Sequence, residues 1–184
     1  FAKKAVAKGA DGLIAVAAGA GGHAGALSPF ALVQEIREWF DGPLLLSGSI
    51  ANGDAVLASQ AMGADLAYIG SAFIATDEAN AVQAYKQSVV DNNADDIVLS
   101  NLFTGVSGNY LKPSIEAAGL DPSNLPTSDA SKMSFGSGGE SDSKAWKDIW
   151  GCGQGIGAVK SVQTTEALVG RLSAEYRAAK SRLG

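Results

Sequence analysis

Three short apolar runs, each giving way to glycine and serine, set the rhythm of the first half of the chain. Leu13-Ile14-Ala15-Val16-Ala17-Ala18 leads into Gly19-Ala20-Gly21-Gly22-His23-Ala24-Gly25, and Pro43-Leu44-Leu45-Leu46 into Ser47-Gly48-Ser49-Ile50-Ala51-Asn52-Gly53. Ala64-Asp65-Leu66-Ala67-Tyr68-Ile69 leads into Gly70-Ser71. Continuous apolar runs of this length are the pattern of parallel strands buried on both faces, and they predict strands near 12–18, 43–48 and 65–70. Helical spacing fills the intervals. Ser28 to Phe40 opens with a Ser N-cap and a Pro at the first helical position, then places Phe30, Leu32, Val33, Ile36 and Phe40 mostly on one face. Asp54 to Met62 reads as a helix stopped by Gly63, and Ala2 to Lys8 as one closed by Gly9.

Alternating helices and strands predict βαβ units and a parallel sheet. The spacing suits either a (β/α)8 barrel or a doubly wound sheet, and the phosphate signals separate the two. A barrel often binds phosphate in the loops after its last two strands. Gly48-Ser49 and Gly70-Ser71 fall there if these are strands seven and eight. The G-x-G-x-x-G fingerprint of a dinucleotide fold is absent after the first strand. The helix that begins near Asn52 is expected to add its positive end to the phosphate site.

The loop at 19–25 puts the chain's single histidine among glycines. Glycine lets backbone approach a ligand closely and adopt positive φ. An imidazole changes charge near neutral pH without special tuning, which suits it to take or give a proton. The bland alternative for His23 is a loop histidine with no role.

Taken together, the 19–25 loop, Leu46-Ser47-Gly48-Ser49-Ile50-Ala51-Asn52-Gly53 and the stretch from Met62 to Thr76 resemble the nitronate monooxygenases, formerly 2-nitropropane dioxygenases. The resemblance is densest over residues 9–80, with weaker echoes to Gly157. It implies an FMN-dependent TIM barrel of the α/β class, of which this chain supplies the last three strands and a helical C-terminal extension. By motif match, Gly21, Gly22, Gly48, Ser49, Tyr68, Ile69, Gly70 and Ser71 contact FMN. His23 faces the flavin ring as the base that takes the α-proton of a neutral nitroalkane. The nitronate is then oxidised by flavin and oxygen with release of nitrite. Gln154, in Gly153-Gln154-Gly155, matches a family segment near the active site and is a further candidate for flavin or substrate. Two positions depart from the pattern: Gly19 stands where many relatives have Glu, and Ser71 where Thr is frequent.

Composition fits a globular chain, with 46% hydrophobic and 18% charged residues. A net charge of −5 argues against a nucleic-acid surface. No apolar run reaches transmembrane length. A single cysteine, Cys152, forms no internal disulfide and reads as a small buried residue in a cytoplasmic protein. One His and one Cys make no metal site. Since a barrel typically needs about 250 residues, the chain is expected to be the C-terminal part of a longer protein, with a homodimer as the candidate assembly.

The second half reads differently. Residues 1–103 are assigned to the barrel, 104–143 to a polar loop or lid, and 144–184 to the helical extension. Within these, Glu78 to Val90 and Asp95 to Leu102 read as helices, and Ser134 to Ser141 as the most linker-like stretch. Trp146 and Trp150, one turn apart, read as packing. A closing helix from Thr164 or Thr165 to Leu183 carries Leu168, Leu172, Tyr176, Ala179 and Leu183 on one stripe. Three functions follow: oxidation of nitronates by oxygen, an NAD(P)H-dependent quinone or enoyl reductase on the same flavin scaffold, and a non-redox barrel that binds a phosphate.

Overall fold

The computed structural model describes residues 1–128 and 148–184. In chain order its elements are α1 (Ala2–Ala7), β1 (Leu13–Val16), β2 (Gly22–His23), α2 (Pro29–Arg37), β3 (Leu44–Ser47), α3 (Gly53–Ala61) and β4 (Leu66–Tyr68). There follow α4 (Ser71–Ile74), α5 (Gln83–Asp91), β5 (Ile97–Ser100), β6 (Gly108–Leu111), α6 (Lys112–Ala117) and α7 (Thr165–Leu183). No described helix is long and apolar enough to cross a membrane.

The three apolar runs become three parallel strands in the order β1-β3-β4, so the predicted α/β arrangement is present. Burial within the sheet is one-sided. Leu13, Ala15, Leu44 and Leu46 pack with Val33, Ile36 and Phe40 at the α2 side. On the other face the register aligns Ile14, Leu45 and Leu66 in one row and Val16, Ser47 and Tyr68 in the next. Ile14 and Leu66 in that first row are 50% and 57% exposed. The expectation of strands covered on both faces is therefore met on one face only.

Polar side chains fix how the helices meet this sheet. Arg37, at the end of α2, donates to the carbonyls of Gly63, Phe40 and Gly42 and to Asp65, and Asp65 in turn accepts the Leu44 amide. That amide, followed by the Arg37 guanidinium, holds the Asp65 carboxyl below its ordinary value. One arginine thus ties the end of α2 to the entrances of β3 and β4.

The closing helix α7 lies against α3. Leu168 and Ala179 of its stripe are buried, whereas Leu183 is largely exposed. Gly53 makes the close approach: a Cβ there would lie 2.1 Å from the Tyr176 amide nitrogen and 2.5 Å from the Leu172 carbonyl oxygen. Both are backbone atoms of α7 and cannot rotate away. Gly53→Ala is therefore expected to destabilise the protein by about 3 kcal/mol, the upper range for overpacking, read as a lower urea midpoint.

The second half departs from the sequence reading in three places. Asp95 to Leu102 is a short turn over Ala94–Asp96 followed by strand β5, not a helix. Asn93 and Asp96 close that turn as a capping box, and the β-branched pair Ile97-Val98 then runs extended. The segment from 104 contains β6 and α6, so it is not continuous loop; β6 pairs antiparallel with both β5 and β2. Finally, α5 starts at Gln83, not Glu78, because the Glu78 carboxylate accepts from the amide and hydroxyl of Thr165 at the start of α7. Ser134 to Ser141, Trp146 and the remainder of the lid assignment to 143 lie outside the described residues.

Candidate functional site

The loops leaving the carboxyl ends of β1, β3 and β4 converge on a cavity of about 320 Å³. Gly21, Gly22, Gly48, Ser49, Tyr68, Gly70 and Ser71 all line it, together with Gly151, Gly153 and Gly155 from the C-terminal segment. Ile69 does not line it and packs instead on the apolar cluster around Ala72 and Leu111. Gln154 is likewise outside the lining: its amide donates to the Gly19 carbonyl at 2.9 Å, and its side chain lies beside Gly19.

The Gly19 carbonyl joins three segments, since it also accepts the Ser49 amide at 3.3 Å. Gly19 itself sits at φ +83, and a Cβ there would lie 2.1 Å from the Ser49 hydroxyl. Ser49 occupies the space that a side chain at position 19 would need, which accounts physically for glycine at this position. Ser49, which lines the cavity, is also the one non-glycine residue at positive φ (57°) among the described residues. Nearby, the Ser71 hydroxyl accepts the Gly153 amide at 2.9 Å and fixes the C-terminal segment to the start of α4.

This donor set suits the phosphate end of a flavin nucleotide. Among the described residues the lining carries no charged side chain; its polar groups are backbone and the hydroxyls of Ser47, Ser49, Ser71 and Tyr68, beside the apolar side chains of Ile50 and Ile74. An anion bound here would be held by amides and hydroxyls. A Cβ added to Gly70 or Gly22 would meet nothing within 4 Å, so both glycines leave open cradle where a side chain would project. The expected help from the helix after Asn52 is absent, however. The first amides of α3 are already taken: Gly53 donates to Glu175 and Ala55 to the Asn52 side chain, each at 2.8 Å. With the Glu175 carboxylate seated on it, that helix end is already partnered by an anion of the protein's own.

His23 lies in an adjoining cavity of about 390 Å³ that shares Gly22 and Gly151 with the first. Its Nε2 is 3.2 Å from the Thr104 hydroxyl oxygen, which is in turn 2.9 Å from the Val106 carbonyl. That hydroxyl has one proton. Directed at Val106, it makes His23 donate from Nε2 and leaves the lone pair on Nδ1; directed at His23, it reverses the roles.

The sequence reading missed the element that positions this histidine. His23 and Gly22 form strand β2, paired with Gly108 and Asn109 of β6. Asn109 is 3% exposed, donates from its side chain to the Ala20 carbonyl at 2.7 Å and accepts the Cys152 amide at its own carbonyl. It holds the histidine loop and the C-terminal segment together across 89 residues of sequence. Only the Ser-Gly-Asn turn chemistry at 107–109 hinted at a role. Asn109→Asp keeps the shape but replaces a donor with an acceptor facing a buried carbonyl. It is expected to cost about 1–3 kcal/mol, measured by urea denaturation of the full-length protein.

Cys152 is fully buried beneath the site, and burial pushes its thiol up to about 11, so it stays protonated and inert. Beside it the Tyr85 hydroxyl donates to the Gly151 carbonyl, and the Tyr85 ring stacks on Trp150 with centroids 5.0 Å apart.

Comparison with known proteins places this site in context. The family model for nitronate monooxygenase matches residues 1–175. A protein named probable nitronate monooxygenase from Staphylococcus saprophyticus is 33% identical over 108 residues, covering 53% of this chain and 30% of that protein. Its namesake from Staphylococcus haemolyticus is 30% identical over 110 residues, covering 54% and 31%. Among solved structures, FabK from Thermotoga maritima superposes with a TM-score of 0.77 at 22% identity, covering 99% of this chain and 59% of that one. A nitroalkane oxidase from Streptomyces ansochromogenes superposes with a TM-score of 0.73 at 25% identity, covering 100% and 56%. The matches thus span about a third of the curated relatives and under three fifths of the solved chains. With the family model running through β1, β3, β4, both cavities and most of α7, the chain belongs to the nitronate monooxygenase family.

Proposed function

We propose that this chain forms the FMN-binding portion of a (β/α)8 barrel enzyme that oxidises alkyl nitronates with oxygen, releasing nitrite, and accepts nitroalkanes once His23 has taken their α-proton. The observation that carries this reading is the meeting of two cavities at Gly22 and Gly151: one walled by bare backbone at the strand ends, the other holding the chain's single histidine. The apolar row Ile14, Leu45 and Leu66, exposed at its two outer members, supports the barrel, because a row of this kind is what the interior of a closed barrel buries against its remaining strands.

In this reading the amides of Gly48, Gly70 and Ser71 and the hydroxyl of Ser49, whose own amide is held by Gly19, bind the FMN phosphate, and Gly21, Gly22 and Tyr68 bound the rest of the nucleotide. FMN, when bound, supplies the electron acceptor for the nitronate and passes the electrons to oxygen. His23 accepts the α-proton, a reasonable task for an imidazole because the nitro group acidifies the adjacent carbon. Thr104 orients that imidazole, and β6 fixes the strand that carries it. Gln154 acts through its backbone amide, as a brace for the Gly19 turn.

Purified full-length protein tests this directly. It should be yellow and release FMN on denaturation. Anaerobic addition of a nitronate should bleach the flavin, and NADH should not. Bleaching by NADH alone would transfer the site to the reductase reading, and colourless protein that binds inorganic phosphate would transfer it to a non-redox barrel.

A further inference from the structure

The cavity that holds His23 has a wall of its own, and its chemistry narrows the substrate. Beyond the histidine it is lined by Val82, Tyr85, Tyr110, Ile149 and Trp150, with Asn80 and the Tyr110 hydroxyl as its neutral polar groups. No Lys, Arg, Asp or Glu lines it among the described residues. Its volume of about 390 Å³ falls in the range of small-molecule sites. The aromatic wall is rigid: Tyr85 stacks on Trp150, and Tyr110 meets Phe103 edge-on at 4.9 Å. Because the Tyr85 hydroxyl is spent on the Gly151 carbonyl, that side chain offers the cavity ring carbon and no polar tip.

We infer that this cavity receives an uncharged alkyl tail, so that the enzyme selects nitronates with long aliphatic chains over short ones and over those whose tail bears a carboxylate. The inference rests on the nitronate reading above for the reacting head group; the tail assignment rests on the wall itself. An apolar wall gains from each methylene it removes from water, about fourfold in affinity when burial is complete. It penalises a carboxylate, whose desolvation no cation in the wall offsets.

The test uses full-length FMN-loaded protein with two independent readouts. The first is kcat/KM for the nitronates of nitroethane, 1-nitrobutane and 1-nitrohexane, and for 3-nitropropanoate beside its uncharged counterpart 1-nitropropane. Expected is a rise of about tenfold or more from two to six carbons, carried mainly by KM, and a lower value for 3-nitropropanoate than for 1-nitropropane. Trp150→Ala should flatten the chain-length series. Val82→Lys, at a position 60% exposed, should raise the 3-nitropropanoate value relative to 1-nitropropane by bringing a cation to the cavity. The second readout is calorimetric binding of hexan-1-ol and hexanoate, neither of which reacts. Hexan-1-ol should bind more tightly than hexanoate, and Trp150→Ala should remove the difference. Selective hexan-1-ol binding without any nitronate oxidation would uphold the cavity and overturn the nitronate reading. Nitronate oxidation with a flat chain-length series, or tighter binding of hexanoate, would overturn the cavity assignment.

Discussion

Replacing His23 by Asn is expected to leave FMN bound while cutting turnover of neutral nitroalkanes by about a hundred- to ten-thousand-fold, the usual cost of removing a general base. Flavin retention follows from geometry. His23 stands in the neighbouring cavity and not in the lining of the backbone-walled one. Asn is too short to reach Thr104 as Nε2 does, but β2 pairs with β6 through backbone, so the strand that carries position 23 keeps its place. What is lost is a group able to accept a proton from carbon. A substrate supplied as the preformed nitronate has already lost that proton, so the variant should keep a much larger share of its activity there. Stopped-flow reduction of the flavin by each form separates the cases. Equal losses on both forms, with flavin content unchanged, would reassign His23 to substrate binding; no loss on either would make it a bystander.

How much of this was legible in the sequence depended on where the determining contacts lie. Parallel strands and their glycine loops are local: Leu13–Val16, Leu44–Ser47 and Leu66–Tyr68 announce themselves through runs of apolar residues followed by glycine, and the loops that line the first cavity come with them. The antiparallel sheet is not local. Strand β2 is two residues long and exists because Gly108 and Asn109, more than eighty positions away, pair with it. No periodicity can show in a two-residue strand. Asn109 was passed over for the same reason, since its partner Ala20 is fixed only by the fold. The error over Asp95 to Leu102 has a different origin. Two acidic residues after Asn93 do mark a helical start, but the capping box closes over a single turn, and Ile97-Val98-Leu99 then finds a partner strand in β6. The α3 terminus shows tertiary structure overriding a sound local rule: a free helix start attracts anions, and Glu175 of α7 arrived first.

Gly70 offers the sharpest test of the backbone-walled cavity, because there the fold and the ligand make opposite demands on a side chain. Its φ of −115° is open to any residue, and a Cβ would meet no protein atom within 4 Å. Gly70→Val should accordingly fold with an unchanged urea midpoint in the FMN-free protein. The isopropyl group would nevertheless stand at the lining of the cavity, where the amides of Gly70 and Ser71 are proposed to meet the phosphate. Crowding of that kind typically costs about 1–3 kcal/mol, so FMN affinity should fall by about fivefold to a hundred-and-fifty-fold, measured by the quenching of FMN fluorescence on titration with apoprotein. Gly21→Ala is the control with the opposite signature. Its Cβ would lie 2.7 Å from the Gly153 nitrogen and 3.0 Å from the Cys152 carbonyl carbon, both backbone, so stability and flavin binding should fall together. If Gly70→Val kept FMN at the affinity of the parent protein, the phosphate would have to bind elsewhere, and the glycines at the ends of β3 and β4 would need another explanation.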